Sequence, residues 1–181
     1  MSDYTLPFPG RELADQALRY DYCYGKIPVE DRARIVDMAW EKGTKAAETV
    51  YARYNGSANF FDILHKSGLE CVKVDIDYVS GNQRYFSDYL TGRKRIQLFT
   101  QSIALWANQN GLDEDTAANL ILSHEYFHFL EHTELGLTSR EYQVPMLIIG
   151  PLKLGRTGIR ALSEIGAHAF AWAYHALGKE R

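Results

Sequence analysis

The run His124-Glu125-Tyr126-Phe127-His128 combines residue types and spacing that can do chemistry. On an α-helix, positions four apart share a face and lie about 6 Å apart along the axis, so two imidazoles can reach one ion. Glu125 then stands beside that ion, where its carboxylate can take a proton from a bound water. The chemistry this spacing suits is metal-assisted hydrolysis, with His124 and His128 as ligands and Glu125 as general base. The competing reading is an amphipathic helix with incidental histidines. Ala117, Ala118, Leu120, Ile121 and Leu122 make the preceding turns apolar nearly all round, which predicts a buried helix, and buried imidazoles need partners.

Catalytic zinc takes three protein ligands and keeps a fourth position for water, so a ligand must come from outside the motif. His132 continues the row but lies about 12 Å along the axis from His124, too far to share one ion on a straight helix. It is expected to cap, support or face the substrate. The Gly and final His of H-E-x-x-H-x-x-G-x-x-H are both missing. Glu164 is the best candidate for the third ligand, because it interrupts an apolar segment in which an unpaired charge is unfavourable. A helix-surface pair with His168 or Arg160 is the alternative explanation of Glu164. His168, four residues on, shares the face of Glu164 and is expected to hydrogen-bond a ligand or stabilise a developing oxyanion. Tyr126 and Tyr142 are further, unranked oxyanion candidates. Two histidines and a glutamate also suit manganese or iron, but zinc is preferred because this ligand set is its common catalytic form.

These residues need elements to hold them. Residues up to Lys26 read as an irregular lead-in and a short helix. Val29 to about Tyr54 has helical periodicity that Gly43 is expected to interrupt, and Asn59 to Gly68 predicts another short helix. Alternation in LECVKVDIDYV, QRYFSDYL and RKRIQLF predicts three strands, mostly antiparallel. After Thr100 the chain reads as helical again: SIALWANQNG, the motif helix from Asp113, a weakly patterned segment from Ser139 to Leu154, and TGIRALSEIGAHAFAWAYHALGK.

The chain of 181 residues is long enough for one domain, 1–181, with a helical N-terminal extension over 1–68 and a core over 69–181. Lys and Arg number 20 against 23 Asp and Glu, for a net charge of -3, which argues against nucleic acid as the main partner. The largest basic cluster, Arg93-Lys94-Arg95, reads as a solvated turn before a strand. No secretory leader pattern and no apolar run of membrane-spanning length is present, and Cys23 and Cys71 are isolated thiols. A cytoplasmic protein without membrane association is expected.

At its site residues the sequence resembles the ImmA/IrrE-type zinc metallopeptidases. HEYFHFLEH follows that family's H-E-x-x-H-x-L-x-H run, and Glu164, Ala167, Phe170 and Ala171 follow its E-x-x-A-x-x-F-A helix. The strand region before the motif matches its small strand pair. The likeness covers about Leu69 to Leu177. Phe127 stands where the family usually has Gly, which implies a tighter or remodelled active-site floor, His168 replaces a polar acid or amide, and no helix-turn-helix module is apparent. The resemblance implies an α+β fold, a mainly helical zincin-like domain with a small, mostly antiparallel three-stranded sheet. It further implies Zn2+ at His124, His128 and Glu164, and hydrolysis of a protein or peptide substrate such as a regulatory protein. The RKRIQLF or QRYFSDYL strand would be the substrate rail. A non-catalytic alternative uses the same ligands: the zinc joins two helices and the chain binds a partner.

Overall fold

The computed structural model describes residues 6–179. The N-terminal segment leads into α1 (Arg11–Arg19) and then the long α2 (Val29–Arg53), followed by the short α3 (Phe60–Lys66). Asn59 caps α3 by accepting from the Asp62 backbone N–H at 3.2 Å. Glycine is a poor helix former, yet α2 runs unbroken through Gly43. A Cβ at Gly43 would stand 2.1 Å from the carbonyl oxygen of Gly166. The glycine therefore permits close helix contact and does not mark a break.

The strand region divides more finely than alternation predicts. β1 (Glu70–Val74), β2 (Tyr78–Ser80), β3 (Gln83–Tyr85), β4 (Ser87–Leu90) and β5 (Arg95–Phe99) form a three-stranded sheet of order β1-β5-β4 and a separate β2-β3 hairpin. β4 is antiparallel to β5, with Tyr89 opposite Ile96, but β1 is parallel to β5, with Cys71 opposite Ile96. The run from Leu69 breaks after β1 because Asp77 is held elsewhere: it accepts from Ser102 Oγ at 2.9 Å and from Arg84 Nε at 2.7 Å. Phe86, between β3 and β4, turns against the Trp106 ring. Arg93 and Lys94 lie in the turn before β5, Lys94 with φ 48°.

Beyond the sheet come α4 (Thr100–Gln109) and α5 (Glu114–Leu130), then a single π turn over Glu131–Leu135. The segment from Ser139 to Leu154, grouped with helices on its sequence, is instead β structure. β6 (Gln143–Ile149) and β7 (Leu152–Gly158) form an antiparallel hairpin, with Leu147 opposite Leu154 and Ile149 opposite Leu152. Its sequence, a near-continuous apolar run over residues 146–149, lacks the polar alternation of a half-buried strand, although most of the ribbon stands in solvent. The chain closes with α6 (Arg160–Leu177).

α6 is the axis of the molecule. One face lies along α2 and another packs on α5. Ile35, Val36, Ala39, Leu162 and Ile165 form one apolar cluster. Phe60, Ile96, Leu98, Tyr126, Phe127, Phe170 and Tyr174 belong to a second, which lies beneath β5 and α5. The first 68 residues therefore supply part of both clusters, since α2 and α3 contribute to them. Among the described residues, no helix is long and apolar enough to cross a membrane.

Candidate metal centre

The helix that carries the H-E-x-x-H run is anchored at its start by Asp113. Its carboxylate accepts from the Thr116 backbone N–H at 2.8 Å, and Glu114 and Asp115 in the first turn favour the positive helix end. Most of α5 is buried, as its all-round apolar character predicts. His124 and His128 face α6, and there they meet Glu164.

The geometry of these three residues fits one ion. The Nε2 atoms of His124 and His128 are 3.3 Å apart. Glu164 Oε2 is 3.3 Å from His124 Nε2, and its Oε1 is 3.5 Å from His128 Nε2. Zinc bonds of about 2.0–2.1 Å in a tetrahedron place neighbouring ligand atoms about 3.3 Å apart, so all three separations match. Together the three residues offer ligand atoms that all lie within 4.8 Å of one another. No other group of this kind occurs among the described residues. His132 stands apart at the exposed edge of the cleft, its ring 5.9 Å from that of Tyr89 on β4.

Comparison of the chain with protein-family models, curated proteins and solved structures returned no match.

The charge pattern around the three residues also suits a cation. Burial disfavours the charged form of His128, but the Glu131 hydrogen bond and the nearby Glu164 and Glu125 outweigh it and raise its pKa to about 9. Burial likewise works against charge on Glu164. The hydrogen bond from His124, with the charges of His124, His128 and His168, prevails and holds that carboxyl well below its ordinary range. Part of the Glu164 side chain, 56%, remains open to the cleft, so its carboxylate faces both imidazoles and solvent.

Glu125 is almost fully buried and accepts a 2.6 Å hydrogen bond from Ser87 Oγ, at the first residue of β4. Ser87 has no marked signature in the sequence, because its role depends on the sheet lying over α5. The cleft holds about 920 Å³ and is lined by Glu125, the three candidate ligands, β4 residues, Trp106 and His168. Pro7, Phe8 and Pro9 also line it. The Phe8 ring lies 5.6 Å from Trp106, 5.8 Å from His124 and 5.9 Å from His168. The Trp172 indole N–H donates to the carbonyls of Phe8 and Pro9 at 3.3 and 3.2 Å. The lead-in that read as irregular is thus a wall of the site.

Of the three oxyanion candidates, only His168 lines the cleft. Its ring lies 5.0 Å from that of His124. Burial, reinforced by the neighbouring His124, lowers its pKa to about 3, so it is a neutral imidazole with one N–H to give. Tyr126 points into the opposite side of α5, where its hydroxyl meets Ser67 Oγ at 2.9 Å and Tyr54 Oη at 3.3 Å. Tyr142 donates to Asp31 Oδ2 at 2.7 Å, on the α2 side.

Phe127, which the sequence placed at the active-site floor, does not line the cleft. It is fully buried in the apolar core between α5 and α6, where it packs on Phe170. A Cβ at Gly166 would stand 2.8 Å from its ring, so α6 makes room for this phenylalanine by carrying glycine.

Proposed function

We propose that this protein is a zinc-dependent metallopeptidase that hydrolyses a peptide bond in a protein or peptide substrate. The observation that carries the reading is the set of tetrahedral-edge separations among His124, His128 and Glu164, with Glu125 beside them in an open cleft. His124, His128 and Glu164 would hold Zn2+, and when bound it supplies Lewis acidity toward a water and a substrate carbonyl.

The chain's own residues then divide the work. Glu125 accepts a proton from the attacking water as the water oxygen bonds to the peptide carbon, and it passes that proton to the nitrogen when the C–N bond breaks. The Ser87 hydroxyl holds one Glu125 oxygen and leaves the other free to turn toward the water. His168, neutral and inside the cleft, is placed to donate to the carbonyl oxygen as negative charge develops. The substrate rail is β4. β5 is central, with both edges paired, whereas β4 has β5 on one side only and borders the cleft. An extended peptide can therefore add to β4 as a further strand. By the family resemblance, the substrate is a regulatory protein.

Metal analysis of the dialysed wild type beside His128→Ala and Glu164→Ala tests the reading. About one zinc per wild-type chain, sharply reduced in both variants, is the expected result. A wild type that holds no zinc even when supplied with it would sink the proposal and leave the H-E-x-x-H run an accident of sequence.

A further inference from the structure

One carboxylate beside the cleft is used neither as ligand nor as base. Glu131 opens the π turn after α5 and is 3% exposed. A buried carboxylate requires hydrogen-bond donors, and Glu131 has three. Its Oε2 pairs with His128 Nδ1 at 2.9 Å. Its Oε1 accepts from the Thr138 backbone N–H at 2.7 Å and from Ser163 Oγ at 2.8 Å. Ser163 is the residue before Glu164, and its hydroxyl also accepts from the Ser139 N–H at 3.1 Å. A single side chain thus ties the end of α5, the turn at Thr138–Arg140 and the start of α6.

The two histidines differ in this respect. His124 Nδ1 is buried with no hydrogen-bond partner among the described residues. Only His128 has its outer nitrogen anchored to a carboxylate, and that anchor commits Nδ1 as the N–H and leaves Nε2 to face His124 and Glu164. We propose that Glu131 is the positioning residue of the metal centre: it fixes the tautomer and rotamer of His128 and, through Ser163, the spacing of the helix that presents Glu164. This inference rests on the metal-site reading above but concerns a residue outside the H-E-x-x-H pattern.

The test uses the full chain and zinc itself. Zinc dissociation constants are measured by competition with a chromophoric chelator for wild type, Glu131→Gln and Ser163→Ala, with the visible spectrum of the cobalt-substituted proteins as a report on ligand geometry. Glu131→Gln preserves shape, and about a 10- to 100-fold weaker zinc affinity with an altered cobalt spectrum is expected in a chain that still folds by circular dichroism. Ser163→Ala leaves the bond to His128 in place and is expected to weaken zinc at least threefold. A folded Glu131→Gln with wild-type affinity and spectrum overturns the proposal; if that variant does not fold, wild-type affinity in Ser163→Ala overturns it instead. Failure of the wild type to bind zinc would sink the metal site as well, which separates the two claims.

Discussion

The cleft at His124, His128 and Glu164 and the β6-β7 hairpin depart from the usual placement of side chains in opposite directions. In the cleft, ionisable groups are drawn inward: Glu125, Glu131, His124 and His128 are buried or nearly so, and most of their polar atoms have partners. In the hairpin, apolar groups are turned outward: Met146, Leu147, Ile148, Ile149, Leu152 and Leu154 are between 44% and 60% exposed. The hairpin is held to the body at its root by Val144, which is buried, and by polar contacts such as Lys26 Nζ to the Met146 carbonyl at 2.6 Å. The cleft is held by three packed helices and a sheet. Buried polarity stays fixed only where neighbouring elements restrain it from several sides, whereas the ribbon has few restraints to lose.

Four substitutions at three places test that contrast. The largest effect is expected at Glu125→Gln, which removes the base without changing shape: peptide hydrolysis falls by about 100-fold or more, while zinc content and folding are retained. Unchanged function with zinc retained would make the metal a staple between α5 and α6 and the chain a non-catalytic binding protein. A smaller loss is expected beneath the cleft. On an exposed helix, Gly→Ala stabilises by about 1 kcal/mol. At Gly43 the new Cβ meets backbone of α6, so Gly43→Ala is expected to destabilise by about 2–3 kcal/mol in chemical denaturation. A gain in stability would mean that α2 and α6 are not in close contact there. The smallest effect belongs to the ribbon. Leu147→Thr and Ile149→Thr keep strand propensity on exposed positions and are expected to change stability by about 0.5 kcal/mol or less each, with zinc content unaltered. A loss above about 2 kcal/mol would show that the hairpin tip is packed after all.

Much of this arrangement was legible in the chain because helices announce themselves locally. The motif helix shows its cap at Asp113, its apolar turns and its histidine spacing within one continuous stretch, and the last helix shows Glu164 as a charge among apolar neighbours. Both stand where that pattern placed them. The strands were legible as strands but not as a sheet. Alternation along β1 does not say that its partner is β5, or that the pairing is parallel, and it cannot tell a central strand from an edge. Which of RKRIQLF and QRYFSDYL supplies an edge strand therefore depended on the fold.

The sequence by itself determined the helical spacing of His124 and His128 and the α+β character of the chain, because these depend on periodicity and side-chain chemistry within a few turns. The tertiary structure decided the rest. Ser87 reaches Glu125 only because β4 lies over α5, Glu131 reaches Ser163 only because α5 packs beside α6, and Phe8 walls the cleft only because Trp172 holds its carbonyl. Phe127 belongs to the core, where a glycine on another helix makes room for it. Each of these depends on contacts between residues far apart in the chain, and local propensity carries no record of which distant segments will meet.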